Sequence, residues 1–173
     1  MLRAGSLRSR RAIVASVLAL LLAAIAGLFG AYTARGTASA TALEGVVVRI
    51  IDGDTIHVRF GDRVEKVRYI GLDTPEIQHP RKGAELGGRD ASRVNRDLVD
   101  GRRVRLELDV QERDRHGRLL AYVWVGDVMV NEELLRLGYA QVLTVPPNVR
   151  YQSVFLARER EARQSGRGLW RSG

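Results

Sequence analysis

Residues 45–72 read GVVVRIIDGDTIHVRFGDRVEKVRYIGL and carry a β pattern broken twice by turn residues. Gly45–Ile51 is a β-branched run, as a short strand requires. Thr55–Phe60 alternates: Ile56, Val58 and Phe60 face one way, Thr55, His57 and Arg59 the other. Gly61-Asp62 is a two-residue hairpin turn, and Val64–Leu72 is a third strand. Asp52-Gly53-Asp54 between the first two strands is a tight polar turn.

The chain continues in the same style. After a polar loop, IQHPRKGAELGG, residues Ala91, Val94 and Leu98 fall at helical spacing, with Gly101 as the stop. Val104, Leu106, Leu108 and Val110 alternate with charged residues and predict a fourth strand. Leu119–Val125 is the fifth, followed by the turn Gly126-Asp127. Asn131 is placed to cap a short helix, NEELLRL, closed by Gly138. The extended piece YAQVL leads into TVPPN, and a last helix runs from about Arg150 to Gln164 with Tyr151, Val154, Phe155 and Ala162 on its apolar side. Five short strands with a helix between the third and fourth predict an α+β, mainly β fold: a five-stranded barrel of the OB type with three helices.

The N-terminus reads as an address. Residues 1–11 hold four arginines, residues 12–34 hold no charge, and Ala38-Ser39-Ala40 and Ala40-Thr41-Ala42 both fit a cleavage site for small residues. The apolar stretch is also long enough to cross a bilayer, for which about 20 residues suffice. Cleaved signal and uncleaved anchor both stay open; either way the domain, residues 43–173, is expected outside the membrane, secreted or anchored, because the arginines precede the apolar run.

Composition narrows the chemistry. The absence of cysteine excludes disulfides, thiolate catalysis and thiolate zinc sites. The formal charge of +8 is partly local: residues 1–42 hold five arginines and no acid, so the remainder carries 23 basic against 20 acidic residues. All basic residues except Lys66 and Lys82 are arginine, whose fork binds phosphate oxygens in pairs, although genome composition produces the same bias.

Three polar clusters sit at strand ends or in loops: Asp52-Gly53-Asp54-Thr55, Asp73-Thr74-Pro75-Glu76, and Asp114-Arg115-His116-Gly117-Arg118. Each alone is an ordinary turn or solvated loop. Together with their context they form an ordered series: IDGDT, VRYIGLDTPE, HPRKG, DRHGRLLAY, MVNEELLRLGYA and GLW. From about Val46 to Trp170 this series resembles the staphylococcal nuclease-like thermonucleases. The resemblance implies a calcium-dependent phosphodiesterase on an OB barrel that cuts DNA and RNA to 3′-phosphate products.

Residue by residue, the resemblance makes Asp54 and Asp73 carboxylate ligands of Ca2+, with the Thr74 carbonyl beside them and Asp52 behind. Hard oxygen donors suit that cation. Glu76 matches the general base, and Arg68 and Arg118 the two arginines that hold the phosphate as charge builds on its oxygens. Lys82 matches a phosphate-contacting lysine, although a solvated loop lysine looks the same, and His116 stands where a substrate-stacking tyrosine is found. The two other tyrosine positions fall at about Thr144 and Pro146, which supply no ring. His57 and His79 are expected to be structural or exposed. Strict alternation sets Arg68 and Asp73 on opposite faces of the third strand, so sharing one phosphate demands a bulge or bend, with Gly71 the candidate position.

A rival reading is a barrel that has lost catalysis and only grips nucleic acid; it predicts missing acids or arginines, and all are present. An envelope protein making peptide or lipid contacts leaves the same charged residues without a role. The expected partner is nucleic acid as substrate, the expected state a monomer, and any membrane contact is through the N-terminal segment.

Overall fold

The computed structural model describes residues 42–76 and 85–171. The N-terminal address and the loop carrying His79 and Lys82 lie outside them. Among the described residues no helix is long and apolar enough to cross a membrane.

Five strands make a barrel: β1 (Ala42–Ile50), β2 (Thr55–Phe60), β3 (Arg63–Tyr69), β5 (Arg103–Glu107) and β6 (Leu119–Val125). The order β3-β2-β1-β5-β6 is antiparallel throughout and closes by a parallel pairing of β3 with β6, Arg68 lying opposite Leu120. Closure removes the exposed edges that an open sheet would offer. A short β7 (Val128–Met129) extends β6, while β4 (Leu72–Asp73) and β8 (Gln141–Val142) form a separate two-stranded ribbon.

The alternation of β2 is realised: Ile56 and Val58 are fully buried and Arg59 is exposed. Val47, Val67, Leu106 and Val123 complete the barrel interior. Helix α1 (Gly88–Val99) buries Ala91, Asn95 and Val99, and ends before Gly101, whose φ of +67° is the left-handed stop expected there. Asn95 ties this helix to the barrel: Tyr69 Oη donates to Asn95 Oδ1 at 2.9 Å, and Asn95 Nδ2 donates to the Asp52 carbonyl at 3.0 Å. Helix α3 (Gln152–Gln164) packs with α2 (Val130–Arg136) against the barrel.

Four expectations need correcting. The third strand is not continuous to Leu72. It ends at Tyr69, turns through Ile70-Gly71, and resumes as β4. The fourth strand stops at Glu107 rather than Val110, Glu107 being its last residue paired with β6, opposite Tyr122. Asn131 is not a helix cap. It is fully buried inside the first turn of α2, accepting from Val123 N–H at 2.8 Å and donating to the Ile70 carbonyl at 2.9 Å. Val154 is 36% exposed, so the apolar side of α3 is the narrower line through Phe155 and Ala162.

The turn at Gly71 is the feature that aims the site. Its φ is +84°, and a Cβ there would meet the Phe155 ring at 2.5 Å. Both facts demand glycine. Gly71→Ala is therefore expected to lower stability by roughly 1–3 kcal/mol through strain and displacement of Phe155. An unchanged urea midpoint would show that the bend tolerates a side chain.

Candidate active site

The site begins with the turn between β1 and β2. Ile51 N–H donates to the Thr55 carbonyl at 2.9 Å, and Asp52 Oδ1 accepts from Asp54 N–H at 3.1 Å, the local side-chain bond that Asp favours in turns. Gly53 allows the turn to sit close: a Cβ on it would lie 2.6 Å from Thr74 Oγ1 and 2.9 Å from Ala91 Cβ. Asp54 is thereby turned inward and is buried.

Four donors converge on the Asp54 carboxylate. Thr55 Oγ1 donates to Oδ1 at 3.0 Å; Thr74 N–H at 2.9 Å, Thr74 Oγ1 at 3.0 Å and Arg68 Nη1 at 2.8 Å reach Oδ2. Burial pushes the Asp54 carboxyl up to about 7; the Arg68 charge opposes this, and neighbouring Asp52 adds to it. The two bonds from Thr74 clamp the end of β4 to the β1–β2 turn, which brings Asp73 alongside.

Arg68 spans both carboxylates. Its Nη2 meets Asp73 Oδ1 at 2.6 Å while Nη1 meets Asp54, and Nη1 also donates to the Leu72 carbonyl at 3.0 Å. The turn through Ile70-Gly71 makes this possible by returning Asp73 to the side of the strand that carries Arg68. The guanidinium thus stands as a cation between two acids of unequal burial, Asp54 at 6% and Asp73 at 59% side-chain exposure. These hard oxygen donors, with the Thr74 carbonyl next in the chain, fit a hard divalent cation. Among the described residues no third acidic or histidine side chain converges with them to hold a metal.

Beside Arg68 opens a cavity of about 420 Å³, walled by Arg68, Leu72, His116, Arg118, Leu143 and Val145 among others. Because β3 runs parallel to β6 with Arg68 opposite Leu120, Arg118 two residues upstream falls beside it on the same wall. Arg118 is held by Asp114, whose Oδ1 accepts from the N–H groups of His116 and Arg118 at 2.9 and 3.0 Å, and whose Oδ2 accepts from Arg118 Nε at 2.6 Å. Burial works to raise the Asp114 carboxyl, but the Arg118 side chain and those two N–H groups outweigh it and hold the carboxyl below its ordinary range. The pairing uses Nε, so Asp114 does not consume the two terminal nitrogens of Arg118.

The structure thus brings Asp54, Arg68, Asp73 and Thr74 together, and places Arg118 and His116 around the adjoining cavity. Asp52 sits behind Asp54, bonded to its N–H. Glu76 is exposed at the end of the described segment, its N–H donating to Glu85 Oε2 at 3.1 Å and its carbonyl accepting from Glu85 N–H at 2.9 Å. Lys82 lies outside the described residues. His57 is half-buried on the outer wall of the barrel. On the segment expected to place Thr144 and Pro146, the side chains that reach the cavity are Leu143 and Val145.

Two site-building residues were missed from sequence. Asp114 lay inside a quoted motif without a role; an acid at the head of a glycine-containing loop was the available signal. Asn148 is buried and exchanges two 2.8 Å bonds with the backbone of Gln111, pinning one wall of the cavity to another; its partner is too distant in sequence for any local pattern to reveal it.

Comparison with known proteins agrees with this geometry. Residues 66–172 match the family model described as staphylococcal nuclease homologue. The chain is 37% identical over 141 residues to the thermonuclease of Staphylococcus hyicus, covering 82% of this chain and 83% of that protein. It is 39% identical over 125 residues to the thermonuclease of Staphylococcus intermedius, covering 72% and 74%. With endonuclease YncB of Bacillus subtilis (strain 168) it shares 42% identity over 124 residues, 70% of this chain and 59% of that protein. An acid pair bridged by an arginine beside a second arginine, on a closed five-stranded barrel, accordingly has a family and a reaction class: the chain belongs to the staphylococcal nuclease family and is a nuclease, a hydrolase of phosphodiester bonds.

Proposed function

We propose that this nuclease is an exported, calcium-dependent endonuclease acting on DNA and RNA and leaving 3′-phosphates. The observation that carries the reading is the bridge of Arg68 between Asp54 and Asp73 on the wall of a cavity shared with Arg118. Calcium, when held by Asp54, Asp73 and the Thr74 carbonyl, supplies a fixed double positive charge beside the phosphate.

The chain's own residues do the rest. Glu76 takes a proton from the attacking water as its oxygen bonds to phosphorus; the bond from phosphorus to the 5′-oxygen breaks, and that oxygen, hydrogen-bonded by Arg118, takes its proton from solvent. Negative charge builds on the equatorial oxygens, where the forks of Arg68 and Arg118 donate. Arg68 is paired to both carboxylates through Nη1 and Nη2, so a phosphate oxygen shares its guanidinium with them. Arg118, whose side chain is held at Nε, presents its terminal nitrogens to the cavity. Lys82 and His116 are assigned to the substrate, the first at a phosphate and the second against a base. Asp52 acts indirectly, by fixing the Asp54 backbone.

The decisive experiment measures cleavage of single- and double-stranded substrates with and without calcium. Chelation is expected to abolish turnover and added calcium to restore it; chelator-resistant cleavage would contradict the metal assignment. In the same assay Glu76→Gln should lower kcat by about 10²–10⁴ while calcium binding survives, and unchanged turnover would remove Glu76 from the mechanism.

Asp114 is a positioning residue. Asp114→Ala should lower kcat by about tenfold with a smaller change in KM, because it frees Arg118 from its bearing while leaving the metal ligands alone. Asp114→Asn, which keeps an oxygen acceptor, should recover part of the loss. Equal losses in the two variants would point to a charge effect instead.

Export rests on the arginine-led apolar segment within residues 1–42. Fractionation of producing cells should find the domain in the medium, starting after Ala40 or Ala42, or in the membrane fraction with residues 1–42 retained. A wholly cytoplasmic product would refute export.

A further inference from the structure

The outer wall of the barrel carries a second feature that the reaction centre does not use. Pairing registers put residues of β1, β2, β3 and β5 into rows across the strands. Arg68 lies opposite Thr55. The next row is Lys66–His57–Arg49, and the next is Val64–Arg59–Val46–Arg103. Ile56, Val58 and Val67 fill the interior, so these alternate residues face out. Arg49, Arg59, Lys66 and Arg103 are exposed. The rows are also close in space: burial, then the charges of Arg49 and Lys66, hold His57 below its ordinary range.

These cations are set apart by sharing one wall while unpaired. Many arginines elsewhere on the domain meet carboxylates, as Arg113 does with Glu65, Arg136 with Glu133, Arg150 with Glu107 and Asp109, Arg158 with Glu132, and Arg167 with Glu161; the exposed Arg89, Arg96 and Arg160, which do not, are scattered over the helices. Among the described residues, Arg49, Arg59, Lys66 and Arg103 have neither an ion pair nor a side-chain hydrogen bond. The acids on these strands and their turn are Glu44, Asp62, Glu65 and Glu107: Glu65 falls between the two rows but is paired with Arg63 and Arg113, and the other three lie beyond them. Unneutralised cations spaced along a strand, with the aliphatic Val64 and Val46 among them, match a flexible polyanion that also offers apolar faces. The rows step by about 6.7 Å along the strand, so the outermost lies about 13 Å from Arg68. That is room for further nucleotides of the chain whose phosphate Arg68 holds.

Resting on the nuclease reading above, we propose that the outer face of β1, β2, β3 and the start of β5 is a polynucleotide track: Arg49, Arg59, Lys66 and Arg103 hold the phosphates of a single strand beyond the one being cut.

The test compares full-length protein with the triple variant Arg49→Gln, Arg59→Gln, Lys66→Gln on two substrates, a dinucleotide and a single strand of about a dozen nucleotides. On the long strand kcat/KM should fall about tenfold or more at low salt, chiefly through KM. The slope of log(kcat/KM) against log salt should become shallower by about 2, the loss of three phosphate contacts on a single strand. The dinucleotide, too short to reach the rows, should be cut within about twofold of the original rate. Equal loss on both substrates, or no loss on the long one, would overturn the track. Should the unaltered protein cut neither substrate, the nuclease reading falls by itself and the track is read by fluorescence anisotropy of the labelled long strand. Weaker binding by the variant supports the track and equal binding overturns it. Loss of affinity for phosphatidylglycerol vesicles with oligonucleotide affinity intact would make the face a membrane contact and overturn the proposal.

Discussion

Asp54 is a carboxylate taken out of water, and keeping it ionised there constrains most of its surroundings. Isolated, such a charge would cost enough to be protonated instead, and burial does push it towards neutral pH. Its four donors come from three places in the chain: Thr55 beside it, Arg68 on β3 and Thr74 after β4. Satisfying one buried group therefore fixes the relative positions of the β1–β2 turn, the middle of the barrel wall and the ribbon that leaves it. The same donors deliver Asp73 next to Asp54. The pairing of the two acids and the satisfaction of the buried one are here a single arrangement, with Arg68 as the cation common to both.

That arrangement depends on a broken strand. A continuous third strand would send Arg68 and Asp73 to opposite faces. The break uses two devices: a glycine at positive φ against the Phe155 ring, and the buried Asn131, which takes up the Ile70 carbonyl inside the turn and Val123 N–H on β6. The second matters because a bend in a barrel wall frees backbone groups that must find partners. An amide serves here because it donates and accepts at once. Helices α2 and α3 thus reach the reaction centre through packing and hydrogen bonds, without a residue of their own in it.

How far this was legible in the chain depends on the range of each interaction. The alternation of β2, the hairpin at Gly61 and the helix stop at Gly101 are local, and all were read. The need for a bend near Gly71 was also legible, because strand alternation separates two residues that the family resemblance brings to one phosphate. How the bend is supported was not. Asn131 ahead of NEELL has the look of a cap, and only its contacts with Ile70 and Val123 reveal a different role. Asn148 is paired with Gln111 across 37 positions, and Asn95 reaches Asp52 across 43. Side-chain amides that stitch distant backbone carry no periodic signature. The grouping of Asp54, Arg68 and Asp73 was anticipated through a family resemblance, whereas the side chains at the cavity mouth, Leu143 and Val145, depended on the path of a segment after β8 that local pattern does not set.

Charge follows the same division between count and placement. The domain beyond residue 42 is nearly balanced, which argues against a uniformly basic protein. Balance in number is compatible with segregation in space, because most acids are occupied locally. Glu107 serves Arg150 Nη1, Tyr151 Oη and Trp124 Nε1, and Asp109 takes Tyr122 Oη and Arg150 Nη2. These pairs fasten the start of α3 to the barrel and neutralise that side. Few acids remain for the β1–β2–β3 wall, so its cations project a field that Debye screening limits to roughly 8–10 Å at physiological ionic strength. Arg68 stands on that wall, one row beyond Lys66, and also faces the acid pair. It is thus the point where an electropositive surface, suited to gathering phosphates, meets the electronegative spot suited to a divalent cation. Burial of Asp54 beneath Thr55, Arg68 and Thr74 lets the two fields adjoin without cancelling.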